Sequence, residues 1–205
     1  MSFEPRTEAD LLQLIEEYPL AWIVSVGTSG YGATPLPMLA EPRPDGKIAS
    51  LLGHFALSNP HVAMLRSAPQ ATILFMGPQG YISPELVSKP GWAPTWNYAA
   101  AQFDVQIELL PEENATALEK LVYWMERDRQ VPWTIGEMGA RYDLMVQQIV
   151  AFRAHVRRVR GRFKLGQDET PQTRAEVLKK LDDADLVRWM AHFNPQPAEE
   201  SPGKQ

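Results

Sequence analysis

The 205-residue chain contains no cysteine. That excludes disulfides, thiolate nucleophiles and cysteine-ligated metals, and it agrees with a cytoplasmic setting. Positive charge is also in short supply: 20 Lys and Arg stand against 25 Asp and Glu, a formal net charge of −5. As a whole, such a chain is no electrostatic match for nucleic acid. No apolar run approaches the length of a bilayer span, so no membrane association is expected. The opening Met1-Ser2-Phe3-Glu4-Pro5 has neither a basic nor an apolar leader region, and no secretory signal is expected. Several chemical motifs are missing as well. None of His54, His61, His155 and His192 has the i, i+4 partner of a zinc-binding helix. There is no G-x-S-x-G, and no G-x-G-x-x-G follows a strand, which sets aside a serine hydrolase and a Rossmann domain.

What remains is an ordinary globular composition, 44% hydrophobic and 22% charged, enough for one full core. Thr7 and Asp10 have N-cap and N3 spacing ahead of an apolar stripe, Leu11, Leu14, Ile15 and Tyr18, which predicts a helix ending at Pro19. The period then changes. Strands are predicted over Leu20 to Val26, Ala33 to Ala40, Ile48 to Phe55, Ala71 to Met76, Trp96 to Leu110 and Ile149 to Val159. Thr28-Ser29-Gly30 and Pro44-Asp45-Gly46 read as turns. Pro35 and Pro37 place the second strand at an edge or in irregular pairing. A short helix is expected over Pro60 to Ser67. Two more separate the fifth and sixth strands, one behind Pro111-Glu112-Glu113 and one over Glu137 to Gln148. Thr173 to Leu181 and Asp185 to Phe193 are amphipathic, and the Pro- and charge-rich stretch 194–205 is expected to be disordered. Six strands with short connections and peripheral helices predict an α+β chain built on a small barrel, whose closure would remove exposed edges.

Three stretches could carry chemistry. In GPQGYISPELVSKPGWAPTWNY, Gly77 to Tyr98, Ser83, Lys89, Thr95 and Asn97 offer polar groups beside the ring of Trp96. The same residues also suit a loop and a core strand. In GHFALSNPH, Gly53 to His61, Asn59-Pro60 is an N-cap and N1 pair at the end of a strand, and Ser58 adds a hydroxyl. A helix N-terminus there would favour phosphate, although Asn59 caps its helix in either case. In RRVRGRFKLGQ, Arg157 to Gln167, alternation would put Arg158, Arg160 and Arg162 on one face and Arg153 and Arg157 on the other. A charged edge strand explains this as well as a nucleic-acid patch does.

Together these stretches resemble the PaiB family of FMN-binding negative transcriptional regulators. The resemblance runs from about Phe3 to Leu181 and rests on YPLAWIVS, GHFALSNP, GPQGYISP, APTWNY, VPW, QIVAF and FKLGQ, in family order. The chain departs from the family pattern at several places. Pro35 stands for a histidine, Leu57 for an arginine, Leu86-Val87 for Trp-Tyr, and Gln102 and Val105 for a histidine and a glycine. Arg153 stands for a glutamate, and Gly166 and Asp168 alter the KLSQN motif.

The resemblance implies a six-stranded split β-barrel with peripheral helices over 1–182, followed by an added C-terminal helix and tail over 183–205. It implies FMN as cofactor, held by His54, Ser58, Asn59, Ser83, Lys89, Thr95, Trp96, Asn97, Lys164 and Gln167, and a homodimer with flavin sites across its interface. A flavin oxidoreductase and a flavin-using regulator are both consistent with it. So are a flavin-free regulatory or structural homologue and a haem-handling relative by fold. No general acid or base stands out, so no catalytic residue is named. The family label notwithstanding, net charge and the lack of a reading helix predict no strong direct nucleic-acid binding.

Overall fold

The computed structural model describes residues 3–27 and 30–195. The turn expected at Thr28-Ser29 and most of the expected disordered tail, 196–205, lie outside the described residues. Six α-helices are described: α1 (Glu8–Glu17), α2 (Pro60–Ser67), α3 (Asn114–Glu126), α4 (Arg141–Val146), α5 (Pro171–Lys180) and α6 (Ala184–Phe193). Seven strands accompany them: β1 (Leu20–Gly27), β2 (Gly30–Pro37), β3 (Leu39–Pro42), β4 (Ile48–Ala56), β5 (Gln70–Ile82), β6 (Thr95–Leu109) and β7 (Ile149–Lys164). They form one sheet in the order β2-β1-β5-β6-β7-β4-β3.

The strand count is seven rather than six because the expected second strand breaks at Met38. Pro35 and Pro37 have no N–H to give a ladder. Met38 N donates instead to Pro19 O at 2.9 Å, and its side chain is fully buried. The chain resumes as β3, which pairs with β4 through Leu39↔Leu52 and Ala40↔Leu51, with an irregularity between Glu41 and Pro42. The hydrogen-bonded sheet is therefore not closed, and β2 and β3 are its edges. A Cβ on Gly53 of β4 would nevertheless lie 3.3 Å from Pro37 O of β2, so backbone at the gap approaches closely without a ladder.

The residues fall into two compact units. The larger holds Pro5–Gly77 and Ala100–Gly161. Its first helix starts as the sequence requires, with a reciprocal capping box between Thr7 and Asp10. β6 alternates strictly from Ala101 to Ile107, odd positions inward, which is the pattern of a sheet with one buried face. The core centres on Phe55 against Phe152 at 5.0 Å and Phe75 against Phe103 at 5.6 Å between centroids. Asn114 seats the start of α3. Its amide donates to Val146 O and Ile149 O and accepts from Ala151 N at 2.7 Å.

The smaller unit comprises the described residues of 1–4, 78–99 and 162–205. Its core is an aromatic cluster built by α6, whose apolar residues recur at helical spacing. Trp189 stacks on Phe193 at 5.6 Å, and both meet Phe163 edge-on. α5 and α6 begin with side-chain caps from Thr170 and Asp183.

Candidate functional site

The larger unit contains a polar groove of about 540 Å³ beside the start of α2, lined by β2 residues Tyr31 to Thr34 and by α2 residues that include His61 and Met64. The local sequence explains it. Pro60 occupies N1, and Asn59 caps the helix by accepting from His61 N at 2.9 Å. That bond fixes the amide, so its nitrogen faces Thr34 Oγ1 at 3.4 Å. Thr34 Oγ1 lies 3.0 Å from His61 Nδ1, and Ser25 Oγ lies 2.7 Å from His61 Nε2. Ser25 Oγ in turn reaches Met64 Sδ at 3.2 Å. Gly32 makes room for the ring: a Cβ there would stand 2.7 Å from His61 Cδ2. Burial holds the imidazole below the usual histidine range, so it is neutral near pH 7.

The helix start supplies fewer backbone donors than its sequence suggests. Asn59 N donates to Ala56 O, Val62 N to Asn59 O and His61 N to the Asn59 side chain, while Pro60 has no N–H. What the groove offers an anion is the positive end of the α2 dipole, the Asn59 amide nitrogen and the Thr34 hydroxyl. Among the described residues no Lys or Arg lines it. Leu57, at the family's arginine position, is 46% exposed. Ser58 is exposed and does not line the groove. His54 sits on β4 opposite Ala151, also outside the lining. Its Nδ1 is buried and without a partner among the described residues, and burial lowers its pKa.

The other expected site residues lie in the smaller unit. Lys164 Nζ donates to Thr95 Oγ1 at 2.6 Å and to Trp96 O at 3.4 Å, with Asp168 at 3.9 Å. Asn97 is buried. Its nitrogen meets Met190 Sδ at 3.4 Å, and its oxygen has no partner among the described residues. Trp96, one residue earlier on the strand, is 53% exposed and meets Tyr81 edge-on at 6.0 Å, so the two motif neighbours emerge on opposite faces. Gln167 is spent on its own turn: its amide accepts from Leu165 N and donates to Phe163 O, both at 2.6 Å. Ser83 caps a single 3₁₀ turn at Pro84–Leu86. Lys89 is exposed.

The long loop between β5 and β6 is held mainly by carboxylates. Ser88 donates through N and Oγ to the two oxygens of Glu176, both at 2.6 Å, and Trp92 Nε1 donates to Glu169 at 3.0 Å. The structure thus joins Lys164 with Thr95, and Asn59 with three residues that motif spacing did not single out: Ser25, Thr34 and His61. The only sequence hint for these was a histidine two places after the Asn59 cap.

Several arginines of β7 are tied to side chains of neighbouring elements, Arg153 and Arg160 by carboxylates. In the larger unit Arg157 reaches Gln106 at 2.7 Å and Arg160 pairs with Asp104 at 3.0 Å. In the smaller unit Arg162 donates to Tyr98 Oη at 3.0 Å. Strict alternation would have put Arg157 and Arg160 on opposite faces. Arg157 and Arg158 are both exposed, so the alternation slips there, and Arg157 and Arg160 both reach outward-facing residues of β6. Among the described residues no group of His, Asp or Glu could hold a metal ion, and no helix is long and apolar enough to cross a membrane.

The unclosed antiparallel sheet flanked by helices is shared with structures of the flavin-binding split-barrel class. The FAD- and haem-binding protein of Mycobacterium smegmatis superposes with a TM-score of 0.59, covering 80% of this chain and 74% of that one at 14% identity. The flavocytochrome Anf3 of Azotobacter vinelandii gives 0.58, covering 99% and 86% at 12% identity. Within that fold, the chain belongs to the family described as "Putative FMN-binding domain", whose model matches residues 1–158. It is also similar to the Protease synthase and sporulation protein PAI 2 of Bacillus subtilis (strain 168), 25% identical over 187 residues that cover 88% of this chain and 87% of that protein. The PaiB resemblance is thereby borne out. Lys164 and Gln167 lie beyond the residues that the family model matches.

Proposed function

We propose that this chain binds FMN, with the phosphate end in the groove beside α2, and that it serves a regulatory role. The observation that carries the reading is the Asn59–Thr34–His61 constellation lining a polar groove at a helix start, in a chain of the FMN-binding family. Phosphate and ribityl oxygens accept hydrogen bonds, which suits the Asn59 nitrogen, the Thr34 hydroxyl and the α2 dipole. The unpartnered His54 Nδ1, in the same unit as the groove, is a further place where a polar ligand would meet an unmet need. Bound FMN would supply redox chemistry, while the chain's residues bind and orient it. A regulatory role is preferred to an oxidoreductase on the sporulation-related name of the Bacillus subtilis relative.

A homodimer belongs to this reading. Leu20, Trp22, Val26, Tyr31, Leu74 and Met76 are all at least 40% exposed. The pairings Trp22↔Leu74 and Val26↔Tyr31 gather them on one sheet face, an apolar surface of the kind a partner covers. A cytoplasmic location fits the lack of cysteine.

Two observations favour a second reading, a flavin-free homologue: among the described residues the groove has no lining cation, and Leu57 stands where the family carries arginine. Titration of FMN against wild type and Asn59→Ala, followed by quenching of flavin fluorescence, separates the two. Binding that weakens in the variant supports the first reading, and no binding by either protein supports the second.

A further inference from the structure

We infer that His61 is a positioning residue whose tautomer sets the direction of a hydroxyl relay, and that an anion in the groove reverses it. The inference rests on the groove being the phosphate site. Its ingredients are the chain of contacts Asn59 Nδ2, Thr34 Oγ1, His61 Nδ1 and Nε2, Ser25 Oγ and Met64 Sδ, at 3.4, 3.0, 2.7 and 3.2 Å in turn. Both ends are fixed chemically. The Asn59 nitrogen can only donate, because its oxygen is committed to His61 N. The Met64 sulfur can only accept.

With the proton on Nε2, every link is satisfied. Asn59 donates to Thr34, Thr34 to Nδ1, Nε2 to Ser25, and Ser25 to Met64. The cost is that the Thr34 hydroxyl proton points into the protein, leaving only lone pairs for a ligand. With the proton on Nδ1, the imidazole donates to Thr34 and accepts from Ser25. The O–H to sulfur link is given up, and the Thr34 proton is released towards the groove. The free protein therefore favours Nε2–H, by one hydrogen bond to a weak acceptor. An anion offers Thr34 a charge-assisted bond, which is roughly twice as strong as a neutral one, and so favours Nδ1–H. No net proton is taken up, since the imidazole is neutral in both states. Gly32 keeps the ring in register: any Cβ there would displace it from both hydroxyls.

The test is long-range ¹H–¹⁵N correlation of the histidine side chains, which tells a protonated ring nitrogen from an unprotonated one. In the ligand-free protein His61 is expected to carry its proton on Nε2, and saturating FMN is expected to move it to Nδ1. Met64→Leu removes the sulfur acceptor and is expected to raise the Nδ1–H population with no ligand present. Thr34→Val is expected to weaken FMN binding roughly tenfold, with Thr34→Ser restoring it. Nδ1–H already dominant in the free wild type, or an unchanged tautomer in Met64→Leu, overturns the relay whether or not FMN binds. An unchanged tautomer while the Asn59 and Thr34 resonances respond to FMN overturns the switch. If FMN leaves those resonances unmoved, the phosphate assignment and the ligand-driven switch fail together, and the Met64→Leu arm alone decides the resting polarity.

Discussion

Replacing Arg153 with alanine removes the centre of a charge network in the larger unit. Arg153 Nε donates to Glu41 at 2.8 Å, and its two terminal nitrogens form a fork with Glu113 at 2.8 and 3.2 Å. The bonds tie β7 to β3 and to the turn that precedes α3. Removing one partner of a fully buried pair costs roughly 3–5 kcal/mol, because the other charge is left unpaired. Here the side chains keep 22%, 26% and 32% of their surface, and Ser50 and Lys120 still hold Glu41. The expected loss is therefore about 2–3 kcal/mol, a fall of roughly 4–12 °C in Tm for a chain of this length. The triple variant Arg153→Met, Glu41→Gln, Glu113→Gln should recover most of it, since the penalty comes from uncompensated carboxylates. The pH dependence has a definite sign. Burial pushes the Glu41 carboxyl up, but hydrogen bonds from Arg153 and Ser50 outweigh it and hold it below the usual range. The stabilisation is thus complete above the ordinary carboxylate pKa and lost as pH falls through the lowered one. Urea denaturation at neutral and acid pH measures both effects. A neutral-pH loss below about 0.5 kcal/mol would place the network among ordinary surface pairs and refute the reasoning.

Asn59→Ala should cost about 1 kcal/mol of stability as a lost helix cap and weaken FMN binding by about tenfold. An Asn59→Ala variant that binds FMN like wild type in the same titration places the phosphate elsewhere. Hydrogen bonds from the Ser88 side chain and backbone lower the Glu176 pKa, so the β5–β6 loop should be anchored above the ordinary carboxylate range and released as pH falls through the lowered value. The Ser88 amide shift should titrate with Glu176, and a Ser88 signal indifferent to Glu176→Gln would contradict this. Trp22→Glu puts a charge on the exposed sheet face and should turn a dimer into a folded monomer by light scattering. A wild-type monomer at micromolar concentration would remove the dimer altogether.

Periodicity and caps carried most of the fold. Thr7 with Asp10, and Asn59 with Pro60, marked helix starts that the structure reproduces. Two features escaped because they depend on distant partners. The prolines warned of irregular pairing, but only the bond from Met38 to Pro19 turns that warning into a seventh strand. β5 runs on through Gly77 and Pro78 to Ile82, six residues past the strand end expected at Met76. The groove was half legible. Asn59 announced itself as a cap, whereas Ser25, Thr34 and His61 come from separate elements and meet only through the register of β1 and β2. The motif Thr95-Trp96-Asn97 looked like one cluster because sequence adjacency hides the alternation of a strand. Arg153 stood out as a departure from the family, and its place is in an ion-pair network with Glu41 and Glu113, not among the residues lining the groove.

The central claim is that this chain holds FMN in the groove beside α2. Its most direct test is equilibrium titration of the purified protein with FMN, read by flavin fluorescence quenching and visible absorption, in wild type and Thr34→Val. One FMN per chain, a perturbed oxidised-flavin spectrum and roughly tenfold weaker binding in the variant are expected. Absence of quenching at millimolar FMN, or equal affinity in the two proteins, would contradict the claim.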